Sequence, residues 1–455
     1  MISQSLLTLK RMKIEMTDKR MTSISLFCSG GIGDLAARAA GIEVLVANEL
    51  LHDRCEVFKK NYPCATLIEG DIWEKQEEIV QETKDKLNGK DLDFVIATPP
   101  CQGMSSNGMG KLLNGIRSGK KCMWDERNKL IIPTMNIIEK LHPISVCFEN
   151  VTGMEKTVIQ IENGEIINII DYIKQRLGKE YTGRSEVVEF ADFGVPEKRQ
   201  RLISIFSRNH IAIDFFNSVG SFIPPTTHSA KNAEGKKKYI TVNDTISDFP
   251  PLDAKNKEMA TSAIPFHRVP VLDADKYFWV SNTPTGGGAF DNQCVACGFQ
   301  GNPVHGTERI NGINKHKTDT PIRCIKCGEL LPRPWVYKDG EYRIMSGFTS
   351  AYKRMNGNQP ASALTCNLSY ACSDHKLHPT QNRVLSLYEA FHIHTISDFD
   401  YKWERADGKK ISDATVRDII GESIPPRGLL IILKFYAGIL TGKNTPTARQ
   451  LLLGI

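Results

Sequence analysis

Cys101 stands in the segment TPPCQGMSS, directly after the apolar run LDFVIA. That run reads as a buried strand stopped by two prolines. In open α/β sheets, ligands bind beyond the carboxyl ends of the strands, so Cys101 lies where chemistry is done. A buried structural cysteine is the commonest fate of this residue. The position after a strand end, with two prolines fixing the backbone, favours a nucleophile. Lys111, Arg117, Lys120 and Lys121 follow in a Gly- and Ser-rich stretch suited to meeting phosphates.

Two further segments hold groups that could assist a thiolate. Glu149 ends the run ISVCFENV, another strand. Alone it would be a surface carboxylate or a helix cap; beside a cysteine nucleophile it is better read as an acid. The segment FGVPEKRQRLISIF places Arg199 and Arg201 at alternate positions entering a strand, so both are expected on one face. Two guanidiniums on one face suit a carbonyl, a carboxylate or a phosphate, and the alternative is an exposed charged edge.

A second kind of chemistry is written into Cys294-x2-Cys297 and Cys324-x2-Cys327, pairs separated by 26 residues and each followed by glycine. Four thiolates in two such turns make a closed tetrahedral structural zinc site. His305 and His316 lie between the pairs as less favoured substitutes. The chain has twelve cysteines in 455 residues, too few for a disulfide scaffold, which also favours metal over bridges.

These groups need a scaffold, and its rhythm is legible from Thr22 onward. SISLF reads as a strand, CSGGIGD as a Gly-rich turn, LAARAAG as a helix ending at Gly41, and EVLVANE as a second strand. ATLIEGDI carries a third strand ending at Asp71, and EKQEEIVQETKDKL is a charged amphipathic helix. Alternating strands and helices predict an α/β fold with a doubly wound, mostly parallel, Rossmann-like sheet. The rhythm fades after Ser207, and residues 209–350 hold many of the prolines and both cysteine pairs. The expected division is an N-terminal arm at 1–21 and a catalytic domain at 22–208. A smaller irregular recognition domain follows at 209–378, with its zinc module at 294–327. A C-terminal segment, 379–455, returns to the first domain and ends in an apolar helix at 427–441.

The Gly-rich turn Phe27-Cys28-Ser29-Gly30-Gly31-Ile32-Gly33 lets backbone N–H groups approach a ligand at a helix N-terminus. Glu49 ends the next strand, at a distance suited to ribose hydroxyls, and Asp71 could accept from an adenine amino group. The turn is neither GxGxxG nor GxxxxGK[ST], so a methionyl-adenosine fits better than NAD or ATP.

The ordered set FCSGGIG, NE, GDI, TPPCQ, DERNKL, FENV, FGVPEKRQR and GESIPP resembles the motifs of the cytosine-5 DNA methyltransferases over roughly residues 22–208 and 380–440. The resemblance implies S-adenosylmethionine as methyl donor, Cys101 as nucleophile, and Glu149, Arg199 and Arg201 as its catalytic partners. It implies cofactor contacts at Phe27, Gly30, Gly33, Glu49, Asp71 and Ile72. The thiolate would add to C6 of a flipped-out cytosine, Glu149 would serve N3, and Arg199 would hold the base carbonyl. The cysteine pairs would lie in the target-recognition region. Two positions depart from the family pattern: Glu197 stands where glutamine is usual, and Glu422 where asparagine is usual. An RNA-modifying branch shares the cysteine motif, and a catalytically silent DNA reader is a further alternative.

A net charge of +6 permits a nucleic-acid partner without demanding one. The N-terminus lacks the pattern of a signal peptide, and the apolar run 429–440 is too short for a membrane span. The expectation is a cytoplasmic monomer, nucleoid-associated if bacterial, acting on double-stranded DNA and possibly paired with a cognate restriction endonuclease.

Overall fold

The computed structural model describes residues 20–100, 125–162, 164–231, 233–304, 306–310, 313–316, 320–345, 351–373 and 375–442. The arm up to residue 19, Cys101 with the basic residues that follow it, and His305 lie outside the described residues, as does the side chain of His316.

Seven strands form the central sheet: β1 (Met21–Leu26), β2 (Ile42–Glu49), β3 (Thr66–Glu69), β4 (Phe94–Ala97), β5 (Ser145–Asn150), β6 (Thr182–Glu189) and β7 (Gln200–Ser207). Their order is β3-β2-β1-β4-β5-β7-β6. All neighbours are parallel except β7, which runs antiparallel to both β5 and β6. The order reverses between β1 and β4, which opens a crevice at their carboxyl ends.

The strands are apolar on both faces, as a sheet covered by helices on both sides requires. On β4, Val95 and Ala97 join one core with Ile24, Leu26 and Val46. That core is closed by α3 (Ile72–Leu87), α4 (Ile131–Leu141) and α5 (Ile169–Leu177). Phe94 and Ile96 point the other way, into a core with α1 (Ile32–Ala39), α6 (His210–Val219) and α9 (Pro426–Thr441). The period-2 alternation of one strand thus feeds two cores. Helix α9 packs on α1, so the end of the described chain returns to the beginning of the sheet. No single helix among the described residues is long and apolar enough to cross a membrane.

The segment between the sheet and α9 contains only short elements. Its core is built from Trp279, Phe290, Trp335, Tyr352 and Leu377 with smaller residues. Buried arginines do there what ladders do in the sheet. Arg354 donates to the carbonyls of Val280, Thr283, His378 and Gln381, and Arg333 to those of Asn292, Pro303 and Pro321. Backbone carbonyls left buried without such donors would each cost about 1–3 kcal/mol. A fourth core joins α2 (His52–Asn61) to residues 242–246, 355–368, α7 (Leu387–Ile393) and α8 (Asp413–Glu422).

Candidate active site

The crevice at the switch of strand order brings four chain segments together. After β1 the backbone turns through Phe27 (φ 62°) and Ser29 (φ 49°), both left-handed, before Gly31 (φ 81°) opens α1. Thr98, just after β4, donates its backbone N–H to Leu26 O (3.1 Å) and its hydroxyl to Phe27 O (3.0 Å). The turn after β1 and the Thr-Pro-Pro leading to residue 101 are therefore stitched side by side. Asn150, at the end of β5, donates its side-chain amide to Pro99 O at 3.0 Å. This residue ties the strand that bears Glu149 to the approach of Cys101, a role that the motif FENV contained but sequence reasoning did not assign.

Packing requires two of the glycines in the turn, Gly30 and Gly31. A Cβ at Gly30 would lie 2.7 Å from the Tyr401 hydroxyl and 3.0 Å from Ile419, and one at Gly31 would lie 2.4 Å from Tyr62. Gly33 has only ordinary contacts, with Ile424 and Leu429. Helix α8 and Tyr401 thus press onto the turn from outside. Glu49 is buried at the end of β2, and its two carboxylate oxygens accept the N–H groups of Ser29 and Leu51, both at 2.9 Å. Each oxygen keeps a lone pair, so the carboxylate is held rigidly with acceptor capacity left over. The Ser29 hydroxyl beside it is buried and has no partner among the described residues.

Asp71 does not end β3, which stops at Glu69. It is exposed and caps α3, accepting from Trp73 N at 3.0 Å, while Ile72 is buried. Leu50 and Leu51, just after β2, and Trp73, in the first turn of α3, are exposed apolar side chains, a feature without periodicity that the sequence alone could not single out.

Glu149 is buried at the end of β5, with Arg201 Nε 2.9 Å from its Oε1. The contact is an ion pair rather than a directed hydrogen bond, because Oε1 receives no well-aligned donor. Burial pushes the Glu149 carboxyl above the usual range, and Arg201 and Arg199 only partly offset it. The result suits a carboxyl that must hold and give a proton.

Alternation runs through the entry to β7: Glu197 and Arg199 are buried and Arg201 half-buried, with Lys198 and Gln200 exposed between them, so the two arginines face one side. Arg199 is 1% exposed and donates to Leu364 O (2.7 Å), Gly421 O (2.8 Å) and Ser423 O (2.6 Å). It anchors these loops inside the protein, and of the pair Arg201 is the one in direct contact with Glu149.

Both departures from the family pattern have charged partners. Glu422 binds Arg54 at 2.7 Å, across from the first turn of α2. Glu197 is fully buried and lies 2.7 Å from His394 Nδ1.

Apart from this crevice, the four cysteines of the two pairs converge. Sγ separations are 3.6 Å for Cys294–Cys327 and Cys294–Cys297, and 3.7 Å for Cys297–Cys324. Zinc–sulfur bonds of about 2.3 Å at tetrahedral angles separate the sulfurs by about 3.8 Å, so the four atoms fit one ion. Gly298 (φ 70°) and Gly328 (φ 80°) supply the left-handed residue after each pair, which explains the glycine at both places.

A family model described as C-5 cytosine-specific DNA methylase matches residues 21–435. The chain is 26% identical over 417 residues to the type II methyltransferase M1.HgaI of Avibacterium volantium, covering 90% of this chain and 96% of that relative. It is 33% identical over 242 residues to the type II methyltransferase M.AquIA of a Picosynechococcus strain, covering 50% of this chain and 88% of the relative. Among solved structures, a prophage-encoded DNA modification methyltransferase candidate from E. coli shares the fold, with a TM-score of 0.50 and 18% identity over 92% of this chain and 99% of that one. With the family model spanning both ends of the sheet and the helix that returns to it, the chain belongs to the C-5 cytosine-specific DNA methylases and is a DNA (cytosine-5-)-methyltransferase.

Proposed function

We propose that the protein transfers a methyl group from S-adenosylmethionine to C5 of a flipped-out cytosine in a specific duplex sequence, through a covalent bond between Cys101 and C6. The observation that carries this reading is the buried Glu149–Arg201 pair, tied through Asn150 to Pro99 two residues before Cys101. C5 of cytosine is too weak a nucleophile to take a methyl group unaided. Addition of the Cys101 thiolate at C6, with Glu149 donating its proton to N3, makes C5 enamine-like. Arg201 is placed to hold the base carbonyl and to stabilise charge that develops there. Once C5 carries the methyl, loss of the C5 proton to water expels the Cys101 thiolate, and N3 returns its proton to Glu149, which restores the ring.

When bound, S-adenosylmethionine supplies the electrophilic methyl. Glu49 would accept from its ribose hydroxyls, the unpartnered Ser29 hydroxyl and the Phe27–Gly33 turn would line the same side, and Leu50 and Trp73 would flank the base, near Asp71 and Ile72. A stacked base is out of reach of a side chain, so the target must leave the helix.

The Cys294, Cys297, Cys324 and Cys327 cluster is read as a structural zinc site in the recognition region, residues 209–378, where regular structure is scarce. The relatives named type II methyltransferases favour a modification enzyme paired with a restriction endonuclease. The test is transfer of labelled methyl groups to duplex DNA, single-stranded DNA and RNA in parallel. Label at C5 of cytosine in one duplex context is expected, and label on RNA alone would overturn the reading.

A further inference from the structure

Glu197 replaces a residue that is glutamine in the family pattern, and its surroundings explain why a charge is tolerated. Oε1 accepts the N–H of Leu364 at 2.7 Å and lies 3.4 Å from Arg199 Nη1; Oε2 faces His394 Nδ1 at 2.7 Å. Leu364 N–H and the Arg199 guanidinium are donors, and with His394 Nδ1–H as a third, two carboxylate oxygens meet all of them where a single amide oxygen cannot. Burial alone would push the Glu197 carboxyl up, but His394 and Arg199 outweigh it and hold it at about 2. The pairing extends further. His394 Nε2 meets the Ser423 hydroxyl at 2.9 Å, and Arg199 reaches the carbonyls of residues 364, 421 and 423. Residues 361–362 pair with 197–198 as a short parallel bridge. Four chain segments therefore meet at one buried charged knot, and Arg201 leaves it two residues later to enter β7.

We propose that Glu197, with His394, is a positioning residue for methyl transfer: by fixing Arg199 it sets where β7 begins and so holds Arg201 against Glu149. The knot is proposed to act through Arg201 and not on the substrate itself. It acts through the backbone, because Arg199 N–H is bound by the Glu189 carboxylate at 2.8 Å and Arg199 O by Phe190 N–H at 3.1 Å, so any tilt of the side chain moves the strand start. This rests on Glu149 acting as the acid.

The test compares Glu197→Gln, Arg199→Met and the double variant for kcat, KM for duplex DNA, and S-adenosylmethionine affinity by calorimetry. Each single change leaves a buried charge without its partner, whereas the double change removes both. Each single variant is expected to lose roughly tenfold to hundredfold in kcat, the scale of an ångström of misplacement, with KM and cofactor affinity within about threefold. The double variant is expected to recover about tenfold over Arg199→Met. If a single variant does not fold, folding and activity of the double variant read the same coupling. A double variant no better than Arg199→Met, a Glu197→Gln enzyme at full rate, or cofactor affinity falling in step with kcat would overturn the proposal. Glu149→Gln serves as the separate control: full activity there would sink the acid assignment, independently of the knot.

Discussion

The carboxyl edge of the sheet and the irregular segment before α9 solve the same problem differently. At the sheet edge, Glu49 is placed by a parallel ladder with β3 and Glu149 by an antiparallel one with β7, over two hydrophobic cores, so each side chain inherits its position from a regular backbone. In the irregular segment, Arg333, Arg354 and four cysteines pull loops together one carbonyl or one thiol at a time. The first design tolerates many side-chain changes as long as the periodicity holds. The second concentrates its stability in a few residues and exposes it to single substitutions.

The largest effect separating the two is chemical. Cys101→Ser is expected to lower turnover by more than about a thousandfold in single-turnover assays, the scale of losing a covalent nucleophile. Cofactor affinity should stay within about twofold, since the thiol serves the base and not the nucleoside. Cys324→Ser tests the independence of the regions. Metal analysis should fall from about one zinc per chain, DNA methylation should be lost, and S-adenosylmethionine binding should persist. Concurrent loss of cofactor binding would mean that the two regions stand or fall together and that the boundary near residue 208 has no physical meaning.

Arg354→Met should cost about 3 kcal/mol in urea denaturation, because several buried carbonyls lose their donor at once. A loss below about 1 kcal/mol would show that water replaces the guanidinium freely. Glu49→Ala should weaken cofactor binding by about 2 kcal/mol by calorimetry, since it removes the charged acceptor and frees two backbone N–H groups. The smallest effect is in pH. Glu149 must be protonated to serve N3, so kcat should fall as pH rises through its raised pKa. Arg201→Met removes the cation that restrains that rise, so the falling limb should move to higher pH, within whatever activity the variant keeps. A limb that stays in place would remove Arg201 from the site.

What could be read beforehand follows the same division. The strands from SISLF to ISVCFENV announce themselves through apolar runs, and β1 to β5 lie on those runs. The inward face shared by Arg199 and Arg201 follows from local alternation, whereas the carbonyls that Arg199 binds, in residues 364–423, lie far along the chain. Asp71 reads as a strand end, but the helix beginning at Ile72 claims it as a cap. Asn150 and His394 carry no local pattern at all: their partners, Pro99 and Glu197, lie 51 and 197 residues away. Contacts of that separation are written in the fold and not in any window of sequence. The four cysteines are the exception in the irregular segment, because the spacing of a metal knuckle is local even where nothing else is.

The central claim is that Cys101 forms a bond to the target base, and a substrate that cannot complete the cycle tests it most directly. Duplex DNA carrying 5-fluorocytosine at the target position has no C5 proton to lose, so the enzyme should be trapped after methyl transfer. Mass spectrometry of the wild-type protein with S-adenosylmethionine should show an intact protein–DNA adduct, and peptide mapping should place it on Cys101. Cys101→Ser should give none. Methylation of ordinary duplex DNA without any trapped adduct, or an adduct on another of the twelve cysteines, would contradict the account.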